Sequence, residues 1–355
     1  MSGQMSTYIA TGVLYALLYV IGGWGLNLQF ATAGIINFGF ILFVAIGGYV
    51  VGLFTLGPAG LTAGQQHAFF TRALPFPLPI ILAVVVGAVL AAIIGALVLR
   101  RVRRDQQAIV LLALALAAFY FVTADPGFLN GSIGLLLIPQ PVIGSNVATA
   151  GYEWAFVGGV AVLTIACWLV MRATTESPFG RALRAVRDNE PAAEALGYNA
   201  FSLQLRAFTI GGAAGALVGG IFAYFLTVWS PSAWGFAETF YFFTVVIVGG
   251  MSNLGGVVIG AIVVVGMQQA FQYLPNIGTS NLGVALQTIC ASALTVVFLA
   301  VRPRGILPER LHRVYTPGAQ AAARRGDFIQ GPARRRTAEP ERALAEMGEV
   351  DTNAE

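Results

Sequence analysis

Long apolar runs that carry no charged residue recur along this chain, and they constrain its fold more than any other feature. The run 80–99, for example, reaches the length of about 20 residues that a helix needs to cross a bilayer. Lipid leaves only helices and closed barrels as spanning structures, because every backbone polar group must be paired within the protein. A barrel would show short alternating strands instead of continuous runs. The sequence therefore predicts an all-α polytopic membrane protein.

The apolar runs predict about eight to ten transmembrane helices, with broken or re-entrant segments among them. The run 239–249 is short, and the glycine-rich stretch 250–256 follows it. This combination is typical of broken helices that line a polar cavity. Asn37-Phe38-Gly39 indicates a related break in the first half of the chain. The predicted spans are 8–26, 35–54, 80–99, 108–124, 154–171, 207–229, 239–249, 257–273 and 284–301.

Small residues recur at every fourth position in two of these spans. They are Gly211, Gly215 and Gly219 in one span, and Gly87, Ala91 and Gly95 in the other. Small residues at this spacing let helix backbones approach closely in lipid, where van der Waals contact drives helix association. We expect both stripes to serve helix packing.

The arginines predict the orientation of the chain in the membrane. All 20 basic residues are arginines, and all except Arg72 fall into clusters at 100–104, at 172–206 and from residue 302 onward. Successive spans place the three clusters on one side, which the positive-inside rule makes the cytoplasmic side. The C-terminus is therefore expected in the cytoplasm. The N-terminus is external if there are nine spans, whereas a re-entrant segment near 27–39 would reverse that.

The acidic residues between spans are expected on the opposite side from the arginines. They are Asp125, Glu153 and Glu238. We place no charged residue or histidine between the predicted interfaces, which argues against proton or ion coupling through the spans. Without lysine the chain cannot form a P-loop nucleotide site. No catalytic, metal or cofactor site is predicted, because no nucleophile with a base and no group of metal ligands is recognisable.

One polar stretch, 174–206, interrupts the apolar runs. Ser177 and Pro178 are typical of an N-cap followed by proline at the first helical position. Pro191 restarts the helix, and Gly197 supplies a stop. The pattern predicts two short helices at the membrane surface. The first carries an apolar stripe and, beside it, an arginine stripe: Phe179, Leu183 and Val186, and Arg181, Arg184 and Arg187.

The last part of the chain has a different composition. From about residue 315 it is rich in Ala, Arg, Glu, Gly and Pro, with few large apolar residues. Such a segment cannot bury enough apolar surface to offset the entropy lost on ordering. We expect a transmembrane domain at 1–314, which includes the loop 174–206, and a disordered cytoplasmic tail at 315–355.

Several stretches of this chain resemble one family of membrane proteins. Residues 175–197, with GRALRAVRDNEPAAEALG, resemble the cytoplasmic loop of ABC-importer permeases of the branched-chain amino acid type. The resemblance extends over roughly residues 8 to 308, and 100–110 and 130–139 look more like the LivM-type subunit than its LivH-type partner. The loop departs from the general importer EAA pattern, since Pro191 stands where Glu begins that pattern and no I-x-L-P follows.

The resemblance implies a non-enzymatic permease subunit in a bacterial or archaeal cytoplasmic membrane. It would pair with a second, LivH-like permease, two cytoplasmic ATP-binding subunits and an extracytoplasmic solute-binding protein. Neither a bound cofactor nor a nucleic-acid partner is expected. The loop 174–197 would couple ATP hydrolysis in the partners to movement of the spans, and branched-chain amino acids or similar small polar solutes would move inward.

Two sets of residues are predicted to carry this function. The ATPase-coupling residues are Arg181, Arg184, Glu190, Glu194 and Gly197, with Leu183 and Val186 as apolar contacts. The residues predicted to line the translocation path are Asn27, Asn37, Gly39, Ser252 and Asn253. Hydrogen bonding between helices would explain the path residues equally well. Three other functions stay open: a urea or short-amide permease of the same family, a facilitative channel that needs no ATPase, and a membrane scaffold.

Overall fold

A computed structural model describes residues 2–64, 66–68, 70–141, 149–272, 282–302 and 305–308, and this part of the chain is mostly helical. A π-helix, Leu28–Thr32, continues the first α-helix, and a 3₁₀-helix, Pro231–Trp234, precedes the tenth. The α-helices are α1 (Ser2–Asn27), α2 (Phe40–Gly64), α3 (Leu78–Arg101), α4 (Arg104–Ala124), α5 (Pro126–Leu129), α6 (Thr149–Glu176), α7 (Pro178–Asp188), α8 (Glu190–Ala195), α9 (Ala200–Leu226), α10 (Phe236–Gly249), α11 (Leu254–Gln272) and α12 (Leu282–Val301).

Eight helical segments within the described residues are long and apolar enough to cross a membrane. They are Met5–Thr32, Phe40–Pro58, Leu78–Arg101, Arg104–Ala124, Gly151–Glu176, Ala200–Leu226, Pro231–Gly249 and Leu254–Phe271. A shorter apolar helical segment, Leu286–Val301, follows them. The prediction of an all-α polytopic membrane protein is confirmed, and the number of spans agrees with the expected range.

Helix α9 packs closely against α2 because its small residues face that helix. A Cβ atom on Gly219 would overlap the backbone oxygen of Val44, and one on Gly215 would lie 3.1 Å from the Cβ of Phe43. Any larger side chain at Gly219 would push the two backbones apart. The packing role predicted for this stripe is confirmed.

Helix α3 has one face of small residues and an opposite face of large ones. A Cβ on Gly87 would overlap the Cβ of Ala216 in α9, and Ala91 is fully buried. The large residues on the other face are exposed: Ile81, Val85, Val89, Ile93 and Leu97. Since exposed apolar side chains at every fourth position form one continuous stripe, this face is suited to lipid or to another membrane protein.

The break predicted near Asn37 is confirmed, but it moves the start of the second span. Residues 33–39 form no helix after the π-helix, and α2 begins at Phe40 instead of at residue 35. Asn37 accounts for this, because its Oδ1 accepts a hydrogen bond from the backbone N–H of Gly39 at 3.1 Å. Such an Asx turn gives the backbone an alternative to helical bonding.

Helix α9 ends earlier than predicted, at Leu226 instead of at residue 229. Thr227 adopts a left-handed conformation with φ of 57°, which stops the helix. Trp229 then pairs with Leu135 through two backbone hydrogen bonds of 2.7 and 2.9 Å. The long loop that follows α4 therefore supplies partners for backbone groups that a longer helix would have used.

The seventh predicted span is longer than expected, and the expectation that the spans contain no charged residue is wrong. After the 3₁₀-helix, Gly235 has an extended conformation, so α10 begins at Phe236. The 3₁₀-helix and α10 together form the candidate span Pro231–Gly249, of 19 residues. Glu238, which was expected in a loop, lies in the first turn of α10 inside this span. The spans are thus not free of charged residues.

The predicted tail, 315–355, and the predicted domain boundary at 314 lie outside the described residues. Near that boundary, the described segment 305–308 packs against the end of α10. The backbone N–H groups of Ile306 and Leu307 donate to the oxygens of Val248 and Gly249 at 2.9 and 3.0 Å. The chain that follows α12 is therefore bonded to the end of α10.

Candidate functional site

The polar loop between α6 and α9 folds into the two short helices that its caps predict. The hydroxyl oxygen of Ser177 accepts a hydrogen bond from Gly180 N–H at 3.4 Å, at the start of α7. The side chain of Asn189 accepts one from Ala192 N–H at 3.1 Å, at the start of α8. Because these side chains satisfy donors that a helix N-terminus leaves unpaired, the loop has a defined structure of its own.

Gly197 ends α8 with the left-handed turn predicted for it, at φ of 88°. Its N–H donates to the oxygen of Glu194 at 2.9 Å, and the N–H of Tyr198 donates to the oxygen of Ala193 at 3.1 Å. These two bonds form a Schellman motif, which pairs the last carbonyl groups of the helix. The motif turns the chain sharply and leaves the glycine at the tip of the loop.

Leu183 and Val186 were predicted as apolar contacts with a partner, but neither side chain lies on the outer surface of the loop. Both side chains have no exposed surface. Leu183 packs within the main hydrophobic core, whereas Val186 packs with Ala193 and Ala200. The apolar stripe of α7 therefore attaches this helix to the spans and to α8 of the same chain. An amphipathic helix shows from its sequence that one face is covered, but not what covers it.

The outer surface of the loop contains two large side chains that were not among the predicted coupling residues. Leu196 is 79% exposed and Tyr198 is 45% exposed, on either side of Gly197. Arg181 and Glu194 are also exposed. The sequence did carry a signal, since Leu196 and Tyr198 flank the stop glycine and do not belong to the apolar stripe of α7.

Arg184 and Glu190 form bonds within this chain. Arg184 donates from Nη2 to the backbone oxygen of Thr175 at 3.2 Å and so ties α7 to the end of α6. Glu190 lies 3.7 Å from Arg104, at the start of α4, in an ion pair whose side chains are both partly exposed. Such a pair contributes at most about 1 kcal/mol. It nevertheless shows that α8 lies beside the start of α4.

Arg187 connects the loop to two places where helices are interrupted, hereafter the broken segments: the π-helix 28–32 and the turn 250–253 between α10 and α11. Its Nη1 donates to the backbone oxygen of Ala31 in the π-helix and to the hydroxyl of Ser252, 3.0 Å away, in the turn between α10 and α11. Its Nε also donates to Asp188 at 2.9 Å. Arg187 belongs to the predicted arginine stripe, but neither partner could be inferred, since they lie 156 and 65 residues away in sequence.

A second arginine holds the chain just after the π-helix. Arg104 donates from Nε and Nη2 to the backbone oxygen of Gly34, at 3.3 and 3.2 Å. Gly34 has φ of 73°, and a Cβ there would lie 3.0 Å from the Cγ of Arg187. Arg187 of the polar loop and Arg104, which pairs with Glu190 of that loop, therefore enclose the same turn.

A buried chain of amide groups holds the π-helix in place. Asn37 donates to the side-chain oxygen of Gln29 at 2.9 Å, and Gln29 donates to the backbone oxygen of Phe208 in α9 at 2.8 Å. Asn27 accepts a hydrogen bond from the backbone N–H of Ser252 at 2.9 Å. These bonds satisfy polar groups that the broken helix leaves free in an apolar interior.

The other predicted path residues also have structural contacts. Asn253 accepts hydrogen bonds from the backbone N–H groups that begin α11, at 3.0 and 3.2 Å, and donates to the oxygen of Pro308 at 3.1 Å. Ser252 donates to the oxygen of Ala31 at 2.8 Å. A Cβ on Gly39 would overlap the backbone oxygen of Leu111 in α4.

The five predicted path residues are thus used for bonding and close packing in this conformation. Asn27 is 1% exposed and Asn37 is fully buried, so neither side chain faces open space. This is the alternative that the sequence left open, hydrogen bonding between helices. Of these residues, Ser252 contacts the polar loop through Arg187, whereas Asn27 bonds to Ser252 and Asn37 bonds to Gln29.

The fold and this loop together define a class of protein: a multi-pass helical membrane protein in which an extramembrane helix pair is bonded to broken membrane segments. Residues 8–301 match the family model described as the branched-chain amino acid transport system permease component. The chain belongs to this family and is a LivM-like permease subunit.

Curated relatives align over most of the chain. It is 28% identical to the probable branched-chain amino acid transport permease protein LivM of Methanocaldococcus jannaschii, over 84% of this chain and 92% of the relative. It is 27% identical to the LivM permease of the high-affinity branched-chain amino acid transport system of Salmonella typhimurium, over 86% of this chain and 71% of the relative. It is 26% identical to the LivH permease of the high-affinity branched-chain amino acid transport system of Escherichia coli, over 86% of this chain and 94% of the relative. None of the solved structures matches this chain.

Proposed function

We propose that this chain is one permease subunit of an ATP-driven importer, and that its loop 174–197 docks on cytoplasmic ATP-binding subunits. The proposal is carried by one observation: the loop has exposed side chains at its tip, and hydrogen bonds at its base join it to the spans. Leu196 and Tyr198 are exposed at the tip, whereas Arg187 at the base is bonded to both broken segments. A partner that moves the tip would therefore act on the broken segments through short, polar contacts.

The tip has the character of a protein-binding surface. Exposed apolar side chains mark sites that contact protein or membrane. Because Leu196 and Tyr198 lie at the tip, away from the base where Arg187 is bonded to the spans, we propose that they contact a protein. Gly197 presents its backbone between them, and Glu194 adds a charge at the same end of α8. We propose Arg181, Glu194, Leu196, Gly197 and Tyr198 as the docking surface.

The remaining coupling residues would transmit the movement to the spans. Leu183 and Val186 attach the two helices to the core, Arg184 ties α7 to α6, and Glu190 pairs with Arg104. Because these contacts reach several spans at once, a shift of the loop would move them together. Alternating access by movement of one group of helices against another is the usual behaviour of such transporters.

The positions of the arginine clusters support a cytoplasmic location for the loop. Arg104 contacts Glu190, and Arg187 contacts the turn that precedes α11. The segment 305–308, just after Arg302, accepts a hydrogen bond from Asn253 in that same turn. All three clusters therefore have members at one end of the bundle, as the positive-inside rule requires for the cytoplasmic side of the membrane. The C-terminus is proposed to lie on this side.

The names of the relatives support a proposal for the substrate and for a partner permease. The matched proteins are named as branched-chain amino acid permeases of two kinds, LivM and LivH. We propose that this chain transports branched-chain amino acids or similar small polar solutes into the cell. It would do so across a bacterial or archaeal cytoplasmic membrane, together with a LivH-like permease, two ATP-binding subunits and an extracytoplasmic solute-binding protein.

Substitution at the loop tip tests the docking proposal. The complex of both permeases and the ATP-binding subunits would be purified through this chain, and leucine uptake would be measured in vesicles. Leu196→Asp with Tyr198→Ala is expected to lower the amount of ATP-binding subunit recovered at least 10-fold, with a parallel loss of uptake. Leu196→Met, which keeps an apolar side chain, is the matched control.

Two results would contradict the proposal. Full recovery of the ATP-binding subunits with the double variant would show that the tip is not the docking surface. Leucine uptake by this chain alone, without ATP, would favour a facilitative channel. Uptake of urea or short amides in place of leucine would change the substrate and leave the docking surface as proposed.

A further inference from the structure

A cavity of about 140 Å³ lies among α1, α2, α9, the 3₁₀-helix and α10, and Glu238 is on its wall. Its other polar side chains are Tyr15 and Ser232, and Ser232 is exposed. The cavity holds several times the about 10–15 Å³ that one water molecule needs, so it is large enough for a small organic group. It lies outside the loop and the amide network described above.

The Glu238 carboxylate is held in a fixed position at this cavity. Tyr19 donates from its hydroxyl to Oε2 of Glu238 at 2.8 Å. Gln268 donates to the Tyr19 hydroxyl oxygen at 3.2 Å, so the single hydroxyl proton of Tyr19 is directed to Glu238. Among the described residues, Oε1 of Glu238 has no hydrogen-bond donor.

Within the described part of the chain, the carboxylate also forms no ion pair with a cationic side chain. Every arginine in the described chain that forms an ion pair does so with another acid: Arg104, Arg172 and Arg187 pair with Glu190, Glu176 and Asp188. An unpaired charge within an apolar span is costly, and such residues usually face a ligand or an ion pathway. A positively charged ligand in the cavity would supply the missing partner.

The wall of the cavity favours an organic cation over a metal ion. Phe222 and Phe242 contribute aromatic rings, and Tyr15 lies edge-on to Phe222 with ring centroids 5.1 Å apart. Aromatic faces attract ammonium groups and also accept aliphatic side chains. A divalent cation such as Ca²⁺ requires six to eight oxygen ligands, far more than Glu238, Tyr15 and Ser232 provide.

We infer that this cavity binds the ammonium group of a zwitterionic solute at Glu238, with the apolar part of the solute against the aromatic wall. The inference rests on the proposed transport function and specifies which group of the substrate the permease recognises. Glu238 and Gly249 are at opposite ends of α10, about 16 Å apart along the helix. One helix would thus join the solute site to the turn that the polar loop contacts through Ser252.

Binding to the purified full-length chain in detergent tests the inference without any partner subunit. Leucine would be compared with 4-methylpentanoate, which has the same carbon chain and carboxylate but no ammonium group. Leucine at millimolar concentration is expected to bind the wild-type chain, and 4-methylpentanoate is expected not to bind. Glu238→Gln keeps an acceptor for Tyr19 and removes the charge, so leucine affinity should fall at least 10-fold.

Four comparisons make the outcome decisive. Glu153→Gln is the same substitution in α6, outside the cavity, and should leave leucine affinity unchanged. Equal leucine affinity in the wild type and Glu238→Gln would overturn the inference, and so would equal binding of 4-methylpentanoate. If sodium chloride alone gave a binding signal with the wild-type chain and none with Glu238→Gln, the site would bind a simple ion and the inference of an ammonium site would be wrong.

Uptake by the reconstituted complex separates this inference from the proposed function. If the wild-type complex transports leucine and Glu238→Gln transports it with an unchanged KM, only the ammonium site is wrong. If the wild-type complex transports no amino acid, the proposed function fails instead. If Glu238→Gln raises the KM for leucine uptake at least 10-fold while the complex still assembles, both the ammonium site and the proposed function are supported.

Discussion

Replacing Arg187 with alanine should separate ATP hydrolysis from transport. The substitution removes the hydrogen bonds from the guanidinium to the Ala31 oxygen and the Ser252 hydroxyl. It leaves the exposed tip of the loop untouched. We therefore expect the ATP-binding subunits to remain attached and active while the broken segments no longer follow the movement of the loop.

The size of the effect can be worked out from these contacts. A hydrogen bond from a charged group contributes about 1.5–3 kcal/mol, and Arg187 makes two such bonds to the broken segments. After truncation the oxygen of Ala31 keeps its bond from Ser252, so that carbonyl is not left unpaired. The Arg187 side chain is also 24% exposed, which weakens its bonds by solvent screening. About 2 kcal/mol of coupling is expected to be lost, which corresponds to roughly 30-fold.

The measurement is leucine uptake per ATP hydrolysed in vesicles that contain the complete complex. This ratio should fall roughly 30-fold for Arg187→Ala, with a smaller loss for Arg187→Lys, which keeps the charge but not the forked geometry. Arg172→Ala is the control, because it removes an exposed ion pair with Glu176 and a contact with the Trp168 ring, both within α6. A wild-type ratio in Arg187→Ala would refute the idea that this arginine transmits the movement.

Three further substitutions test the packing of the fold and the loop. Gly219→Leu should prevent folding, since its side chain would overlap the Val44 backbone. A Cβ at Gly158 in α6 meets no atom within 4 Å, so Gly158→Leu should remain monodisperse in size-exclusion chromatography. Leu183→Ala should destabilise the attachment of α7 by about 2–5 kcal/mol, seen as faster amide exchange in α7 while the spans stay protected. Gly197→Ala should strain the left-handed turn by about 1–2 kcal/mol and speed exchange in α8; unchanged exchange would show that the turn tolerates a side chain.

Local signals explain why much of the fold could be predicted from the sequence. Apolar runs specify membrane helices because lipid leaves the backbone no other partner. The glycine stripe of α9 follows from the need for close contact between helices, and the N-cap at Ser177 follows from a hydrogen bond within a few residues. Each of these rules needs only a short stretch of chain, so the spans and the two loop helices were predictable.

The candidate site depended on contacts between distant residues. The stripe of α7 showed that Leu183 and Val186 would be covered, but only the packing against this chain's own core showed what covers them. The contact of Arg187 with Ala31 links residues 156 positions apart, and no local pattern encodes such a pairing. The same applies to Glu238, whose place in a span depends on where the preceding 3₁₀-helix ends.

The sequence by itself determined the class of protein, the approximate spans and a polar loop of two capped helices, because bilayer thickness, backbone pairing and capping act locally. Only the tertiary structure decided which faces of that loop are buried. It also decided that Leu196 and Tyr198 remain exposed at the tip and that Arg187 reaches both broken segments. The reason is that a side chain's partner is set by how the spans pack, and helices with similar apolar faces can pack in many ways.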